Sequence, residues 1–473
     1  MQWSAVVLEL GLLALGVFVL GLDLFIGGDR RQETGRALYL VTLAGLAVLW
    51  VGSFVLPEQS AFTPAWVQDG FALFLKRVFI AAASLTVLGT HAYASRRGWA
   101  QRSGEFLVLL LFTTIGAAAL VSAREFLTLF VAFELLSLPL YALTALDKAR
   151  PESSEGALKL FVFGSVSSAI LLLGIGLLFA STGTTFWMEA IVPQAGPLVR
   201  LGAALLLVGF GFKVAMFPFY MWAPDTYESA PTPFVAFLSV APKAAGIAAL
   251  FRLYIEVFAV WVPDVTVWIA WIAALTMIVG NLLALPQQNL KRLLAYSGVA
   301  HIGYVLAALA TGSRFGAGMA LFYFVAYLFS NIGAFLAVAA LESSGVPPTI
   351  DGVRNLVRRS PWVASAFLVF LLSLGGIPFV LGFWGKLYVF LAAGKAGLWW
   401  LVLLGALLAV VALYYYLNVA RSMFIAEPSE GGAEVDVPGT ILAAVLLCAV
   451  VVAVGGLVPQ LLVEPALLAV QGF

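Results

Sequence analysis

The chain has 473 residues, of which 63% are hydrophobic and 10% charged, with a mean hydropathy of +1.05. That composition excludes a water-soluble enzyme and, at about 20 residues per spanning helix plus a loop, leaves room for roughly fourteen crossings and no sizeable soluble domain. The 25 basic and 24 acidic residues leave a formal charge of +1, so no electrostatic footprint for nucleic acid is present.

In chain order, apolar segments bounded by charge or by Gly and Pro fall near residues 4–26, 37–56, 71–94, 105–122, 125–146, 157–180, 199–228, 232–258, 265–285, 291–310, 315–341, 362–392, 397–424 and 439–463. The first carries Glu9 and Asp23 without a basic leader and reads as a retained helix, not a cleaved signal. Cys448, the only cysteine, lies in the last segment, where packing is its expected role. Sorting the basic residues by loop puts fifteen in the odd loops, from Arg30 to Arg421, and four in the even loops: Arg124, Arg200, Arg314 and Lys395. Basic residues collect on the cytoplasmic side, so this asymmetry orients the odd loops inward and both termini outward.

Two segments share a design. An apolar run reaches Lys213 and continues as FPFYMWAPDTYESAPTP; another passes through GGIPFVLGFWGKLYVF with Lys386. Proline in a membrane helix can be a simple packing kink, or it can mark a helix broken where it lines a polar cavity. Two breaks, each beside a buried lysine, favour a functional internal duplication. Its units are spans four to eight and nine to thirteen. The corresponding divisions are 1–104 for spans one to three, 105–258 and 259–424 for the two repeats, and 425–473 for an acidic loop with the last span.

Counting from the segment ends places Glu134, Lys213, Lys243, His301 and Lys386 near mid-membrane. A charge there costs on the order of 3 kcal/mol, so each group should face the bundle interior and find a partner or water. Snorkelling to the surface is credible for Lys76, Arg77 and Arg252, but not for Lys213, Lys243 and Lys386, which sit too deep. A lysine balanced between desolvation and a nearby carboxylate can take up or release a proton, so motion of Glu134 relative to Lys213 would switch it. Lys243 and His301 supply further stations, and Lys386 with Tyr388 would be the exit group towards the outside. Asp225 and Glu228 in PDTYESAPTP read either as loop acids meeting basic neighbours or, for Asp225, as the cap of the next element. No GxGxxG, GKS/T, HExxH or CxxC element occurs, so the chain cannot by itself take electrons from a soluble donor.

FELLSLPLYALTALDK around Glu134, SSEGALKLFVFGS from Ser153, GFKVAMFPFYMWAPDTYESAPTPFVAFLSVAPKAAG from Gly211, LLAYSGVAHIGY around His301 and GGIPFVLGFWGKLYVF from Gly375 together resemble the antiporter-like subunits of proton-pumping NADH:quinone oxidoreductase. The resemblance implies an all-α polytopic fold of about fourteen transmembrane helices, with two inverted five-helix repeats and discontinuous helices seven and twelve. It implies Glu134, Lys213, Lys243, His301 and Lys386 as the proton relay. No cofactor or metal is expected in this chain; NADH, FMN, iron–sulfur clusters and quinone would belong to other subunits. The implied partners are the other membrane-arm and peripheral-arm subunits and the lipid of a bacterial cell membrane. Within that family, lysine in GFWGK differs from the glutamate of the subunit M pattern, and no long lateral helix follows as in subunit L. The segment EPSEGGAEVDVPG has no family role. A multisubunit cation/proton antiporter, a membrane-bound hydrogenase arm and a non-translocating anchoring subunit stay open as alternatives.

Overall fold

Peptide groups in hydrocarbon have no water to bond, so long apolar segments satisfy their amides internally as helices. The computed structural model describes residues 3–26, 31–61, 64–187, 196–258, 262, 264–425 and 435–472. The helices are α1 (Val7–Ile26), α2 (Arg31–Gly52), α3 (Gly70–Arg96), α4 (Ser103–Ser122), α5 (Phe126–Thr144), α6 (Pro151–Thr182), α7 (Pro197–Val214), α8 (Trp222–Ser229), α9 (Thr232–Leu238) and α10 (Ala241–Leu253). There follow α11 (Val265–Ala284), α12 (Leu290–Leu309), α13 (Arg314–Ser343), α14 (Leu356–Arg359), α15 (Pro361–Gly375), α16 (Leu381–Lys395), α17 (Trp399–Phe424), α18 (Gly439–Leu457) and α19 (Gln460–Ala469). Among the described residues, 13 segments are long and apolar enough to cross a membrane; the expected span at 362–392 is divided between the shorter α15 and α16. The chain is an all-α polytopic membrane protein. A small antiparallel hairpin, β1 (Gln59–Ala61) with β2 (Trp66–Gln68), stands between α2 and α3 and pairs Ser60 with Val67. Most of the acidic EPSEGGAEVDVPG segment, residues 427–434, lies outside the described residues.

Two interruptions in the apolar stretches end in the same backbone motif. After α7, Ala215 takes a left-handed conformation (φ 60°), its amide bonding Phe212 O at 3.2 Å and the Met216 amide bonding Gly211 O at 3.0 Å. After α15, Gly376 does the same (φ 86°), with its amide on Leu372 O at 2.9 Å and the Ile377 amide also on Leu372 O, at 3.0 Å. Both are left-handed helix caps that close orphan carbonyls, and Pro218 or Pro378 follows without an amide to continue the ladder. An alanine in this conformation is strained by roughly 1 kcal/mol or more, so the surrounding packing holds the first interruption in place.

The middle of the bundle is Thr232–Phe258, Arg314–Ser343 and Leu290–Leu309, buried over 100%, 94% and 89% of their apolar windows, whereas Pro151–Thr182 is 28% buried and faces outward. The three innermost segments carry Lys243, His301 and, of the tyrosines around them, Tyr304, Tyr323 and Tyr327. Lys76 and Arg252 do not snorkel: Lys76 pairs with Glu9 at 2.7 Å, and Arg252, fully buried, forks onto both carboxylate oxygens of Asp69 at 2.9 and 3.0 Å. A carboxylate in reach costs less than stretching a long side chain to water, and Asp69 and Glu9 supply it. Glu256 also bonds Arg252 at 3.1 Å and pairs with Arg124 at 2.9 Å. Only Arg77 reaches towards a helix end, donating to Ser53 O at 2.8 Å.

The Asp69–Arg252 clamp ties the start of α3 to the end of α10, so Arg252→Met, which strands the buried Asp69 carboxylate, should cost about 3–5 kcal/mol. The check is the melting temperature of the purified complex. Burial alone would raise Asp69, but the Arg252 guanidinium overrides it and holds the carboxyl below the ordinary carboxylate range. A depressed folded pKa contributes stability above the unfolded value near 3.9 and loses it as pH falls through the folded value. Thermal stability should therefore drop on acidification below about pH 4, and less so in Asp69→Asn.

Candidate functional site

On α5, Glu134 and Ser137 stand one helical turn apart on the same face, because residues three apart in a helix are neighbours. Glu134 accepts a hydrogen bond from the Ser168 hydroxyl of α6, and the Lys213 ammonium of α7 donates to the Ser137 hydroxyl. Lys213 also sits 4.9 Å from the centroid of Phe133. Among the described residues no ion pair joins Glu134 to Lys213; each is held by a serine, and both are half-buried. A cavity of about 30 Å³, lined in part by Ser137, Tyr141, Gly164 and Lys213, lies beside them. That is room for one or two waters.

Lys243 is 1% exposed and has no hydrogen-bond partner among the described residues, its ammonium lying 5.2 Å from the ring centroid of Tyr227. One turn further along α10, Gly246 lets α7 approach at Val214, next to Lys213: a β-carbon there would stand 2.7 Å from Val214 Cγ1. The second interruption gathers the other two groups. His301 Nδ1 lies 2.6 Å from Tyr323 OH and Nε2 3.3 Å from Tyr416 OH, and the ring is 4.9 Å from that of Tyr327. Lys386 donates to Leu374 O at 2.8 Å and Gly375 O at 3.0 Å, and lies 5.1 Å from the Tyr304 centroid. An ammonium is therefore set on the negative end of α15, where the interruption frees carbonyls. Tyr388 points elsewhere, against Trp384 and Phe322.

Sequence reasoning missed the tyrosine shell, although Tyr323 and Tyr327 are spaced four apart on α13 and so share a face. It also missed Glu342, which is buried near Lys291 (3.8 Å) and accepts from Tyr93 OH (2.9 Å) and Thr232. Lys291, in the first turn of α12, is buried and donates to Ala230 O at 2.8 Å. At this basic end a polar vestibule of about 470 Å³ is lined by Arg150, Glu155, Lys159, Asp225, Glu228 and Ser229. Asp225 does not cap the following element: it lies inside α8, whose N-cap is Met221, and bonds Lys159 and Arg292 at 2.8 Å each. Glu228 meets Arg292 at 2.8 Å as well. With two cations in direct reach, a carboxylate gains more from them than from backbone amides.

Lysines held without an ion pair among the described residues, two of them beside helix interruptions, are the arrangement of an antiporter-like membrane subunit. The NADH:quinone oxidoreductase/Mrp antiporter transmembrane family matches residues 123–412. NADH-quinone oxidoreductase subunit N of Moorella thermoacetica is 38% identical over 469 residues, 97% of this chain and 95% of that one. Among solved structures, a chain of respiratory complex I from Thermus thermophilus with bound aureothin is 36% identical, with a TM-score of 0.81 over 96% of this chain and 98% of that one. A chain of the Mrp complex from Dietzia is 20% identical with a TM-score of 0.85, over 100% of this chain and 98% of that one, and shares the fold. The chain thus belongs to the antiporter-like family and, within it, to NADH-quinone oxidoreductase subunit N. Among the described residues no group of three or more His, Cys, Asp or Glu could hold a metal ion.

Lys386→Met removes two charge-assisted bonds from the end of α15, each worth about 1.5–3 kcal/mol. Hydrogen exchange of amides 372–386 should accelerate by roughly tenfold or more, while Lys386→Arg should stay near the unaltered rate.

Proposed function

We propose that this chain translocates protons as a membrane-arm subunit of NADH:quinone oxidoreductase, driven by quinone reduction in neighbouring subunits. The observation that carries the reading is the row of separately held groups, Glu134, Lys213, Lys243, His301 and Lys386. Glu134, Lys213, Lys243 and His301 lie in segments long and apolar enough to span a membrane and Lys386 in the shorter α16, and none is neutralised by a direct ion pair among the described residues. A buried structural charge is normally matched by countercharge, as Arg252 is by Asp69 and Glu256. Charges bonded only to hydroxyls, carbonyls or rings can exchange protons without breaking a salt bridge.

On this reading the two interruptions are equivalent points in two inverted five-helix repeats, and their matching caps support the equivalence. The basic end faces the cytoplasm of a bacterial cell and both termini face outward. NADH, flavin, iron–sulfur clusters and quinone are bound by the other membrane-arm and peripheral-arm subunits. Glu134 and Lys213 switch together: when Glu134 leaves Ser168 for Lys213, the ammonium is stabilised, and when it returns, the proton can pass on to the cavity.

Lys213→Ala and Glu134→Gln should each lower proton pumping by roughly tenfold or more in reconstituted vesicles, the scale of losing one positioned acid–base group. Native gel electrophoresis should show the complex still assembled. Unchanged proton-to-electron stoichiometry and turnover in both variants would instead assign the chain an anchoring role.

A further inference from the structure

Asn281, in the apolar run of α11, is fully buried, and both ends of its amide are used. Its nitrogen donates to Met277 O, one turn back on the same helix, at 2.8 Å, and reaches Tyr304 OH of α12 at 3.4 Å. A carbonyl can only accept, so the Met277 bond fixes which end of the amide is nitrogen. The oxygen therefore faces α17, where it accepts from Tyr415 OH at 3.2 Å. Beside it, Gly280 packs α11 so closely on α12, the helix of His301, that a β-carbon there would stand 2.4 Å from Ala300 N.

An amide oxygen has no hydrogen to give, so it sets the direction of the hydroxyls that follow it. Tyr415 has spent its hydrogen on Asn281 and offers only lone pairs. Ser297 of α12 has likewise spent its hydrogen, on Leu294 O at 2.9 Å. Both hydroxyls lie within hydrogen-bonding reach of Tyr416 OH. Tyr416 therefore donates to one of them, and its oxygen is left to accept. What it accepts is a hydrogen on His301 Nε2, 3.3 Å away. On the other side of the ring, Tyr323 OH lies 2.6 Å from Nδ1. An imidazole buried among hydroxyls with no carboxylate on it is neutral and carries one ring hydrogen, so Tyr323 donates to a bare Nδ1.

We propose that Asn281 is a positioning residue that holds neutral His301 with its hydrogen on Nε2, by ordering the hydroxyls of Tyr415 and Tyr416. In that form Nδ1 is the ring nitrogen with a lone pair to offer, so His301 takes up a proton on its Tyr323 side and not on its Tyr416 side. Without the amide oxygen, Tyr415 turns its hydrogen onto the Tyr416 oxygen and competes there with His301, and the Tyr416 hydrogen is released to turn towards Nε2. The ring then divides between its two neutral forms.

The use of this tautomer in pumping rests on the proton-translocation reading; the tautomer itself is measured without turnover, so the two can fail separately. The intact complex with isotope-labelled histidine is studied in membranes by solid-state NMR, the His301 signals being those lost in His301→Gln. Bare and protonated ring nitrogens resonate far apart, and Nε2 is the one bonded to Cδ2. The unaltered complex should carry the hydrogen on Nε2. Asn281→Leu should raise the share of the Nδ1–H form by roughly fivefold to tenfold, the ratio that one buried hydrogen bond controls, and should slow pumping in vesicles. Asn281→Asp, whose oxygen accepts from Tyr415 whether or not the carboxyl is ionised, should restore both. A hydrogen on Nδ1 in the unaltered complex, or an unshifted tautomer in Asn281→Leu, overturns the inference and leaves the translocation reading standing. Slow pumping in Asn281→Leu with the Nε2–H form intact also overturns it, since the loss would then be one of packing. Should Asn281→Leu fail to assemble, Tyr415→Phe decides, because it removes the same ordered hydroxyl: an unshifted tautomer there overturns the proposal. Unaltered pumping in His301→Gln would instead remove His301 from the translocation reading, whatever its tautomer.

Discussion

A charge inside hydrocarbon must be met by a partner of the protein's own making, and this governs the whole molecule. Two kinds of answer are found. Arg252 and Lys76 meet carboxylates directly and lock α10 and α1 to α3. Lys213, Lys243 and Lys386 meet a hydroxyl, an aromatic face and two carbonyls. The first kind is rigid because separating the pair strands both ions; the second can change protonation without losing its neighbours. The two kinds of charge therefore differ in what they touch: carboxylates in one, hydroxyls, rings and carbonyls in the other.

The interrupted helices supply the second kind of answer. Ending α15 within the bundle frees carbonyls for Lys386, so the ammonium and the helix terminus solve each other's problem. The first interruption is closed differently: the indole of Trp222 bonds Phe212 O at 2.7 Å, which leaves Lys213 free to reach Ser137. The backbone cap is the same in both, yet the lysine precedes one interruption and follows the other. That asymmetry makes the two interruptions chemically different despite their common backbone cap.

The basic end is held by a lattice of ion pairs, Lys159 and Arg292 on Asp225 and Glu228, that fixes α8 against α6 and α12. The same short helix carries Tyr227, whose ring centroid lies 5.2 Å from the Lys243 ammonium.

Most of the fold was legible in the residues, because in a bilayer hydrophobic length maps directly onto helices, and proline with glycine marks where a helix must stop. Glu134, Lys213, Lys243, His301 and Lys386 stood out for the same reason: a charge or imidazole in an apolar run has no ordinary explanation. The sequence by itself determined the number of apolar segments, the sites of interruption and the identity of these ionisable groups, all of which are local properties of the chain. Only the tertiary structure decided that Arg252 meets Asp69 instead of water, that Lys386 turns back onto α15, that Asp225 answers Lys159 and Arg292, and that tyrosines from α8, α12, α13 and α17 surround Lys243 and His301. Partners from distant elements are chosen by how helices cross and rotate, and a tyrosine in an apolar helix carries no sign of whether its hydroxyl will meet lipid, a neighbour or a buried amine.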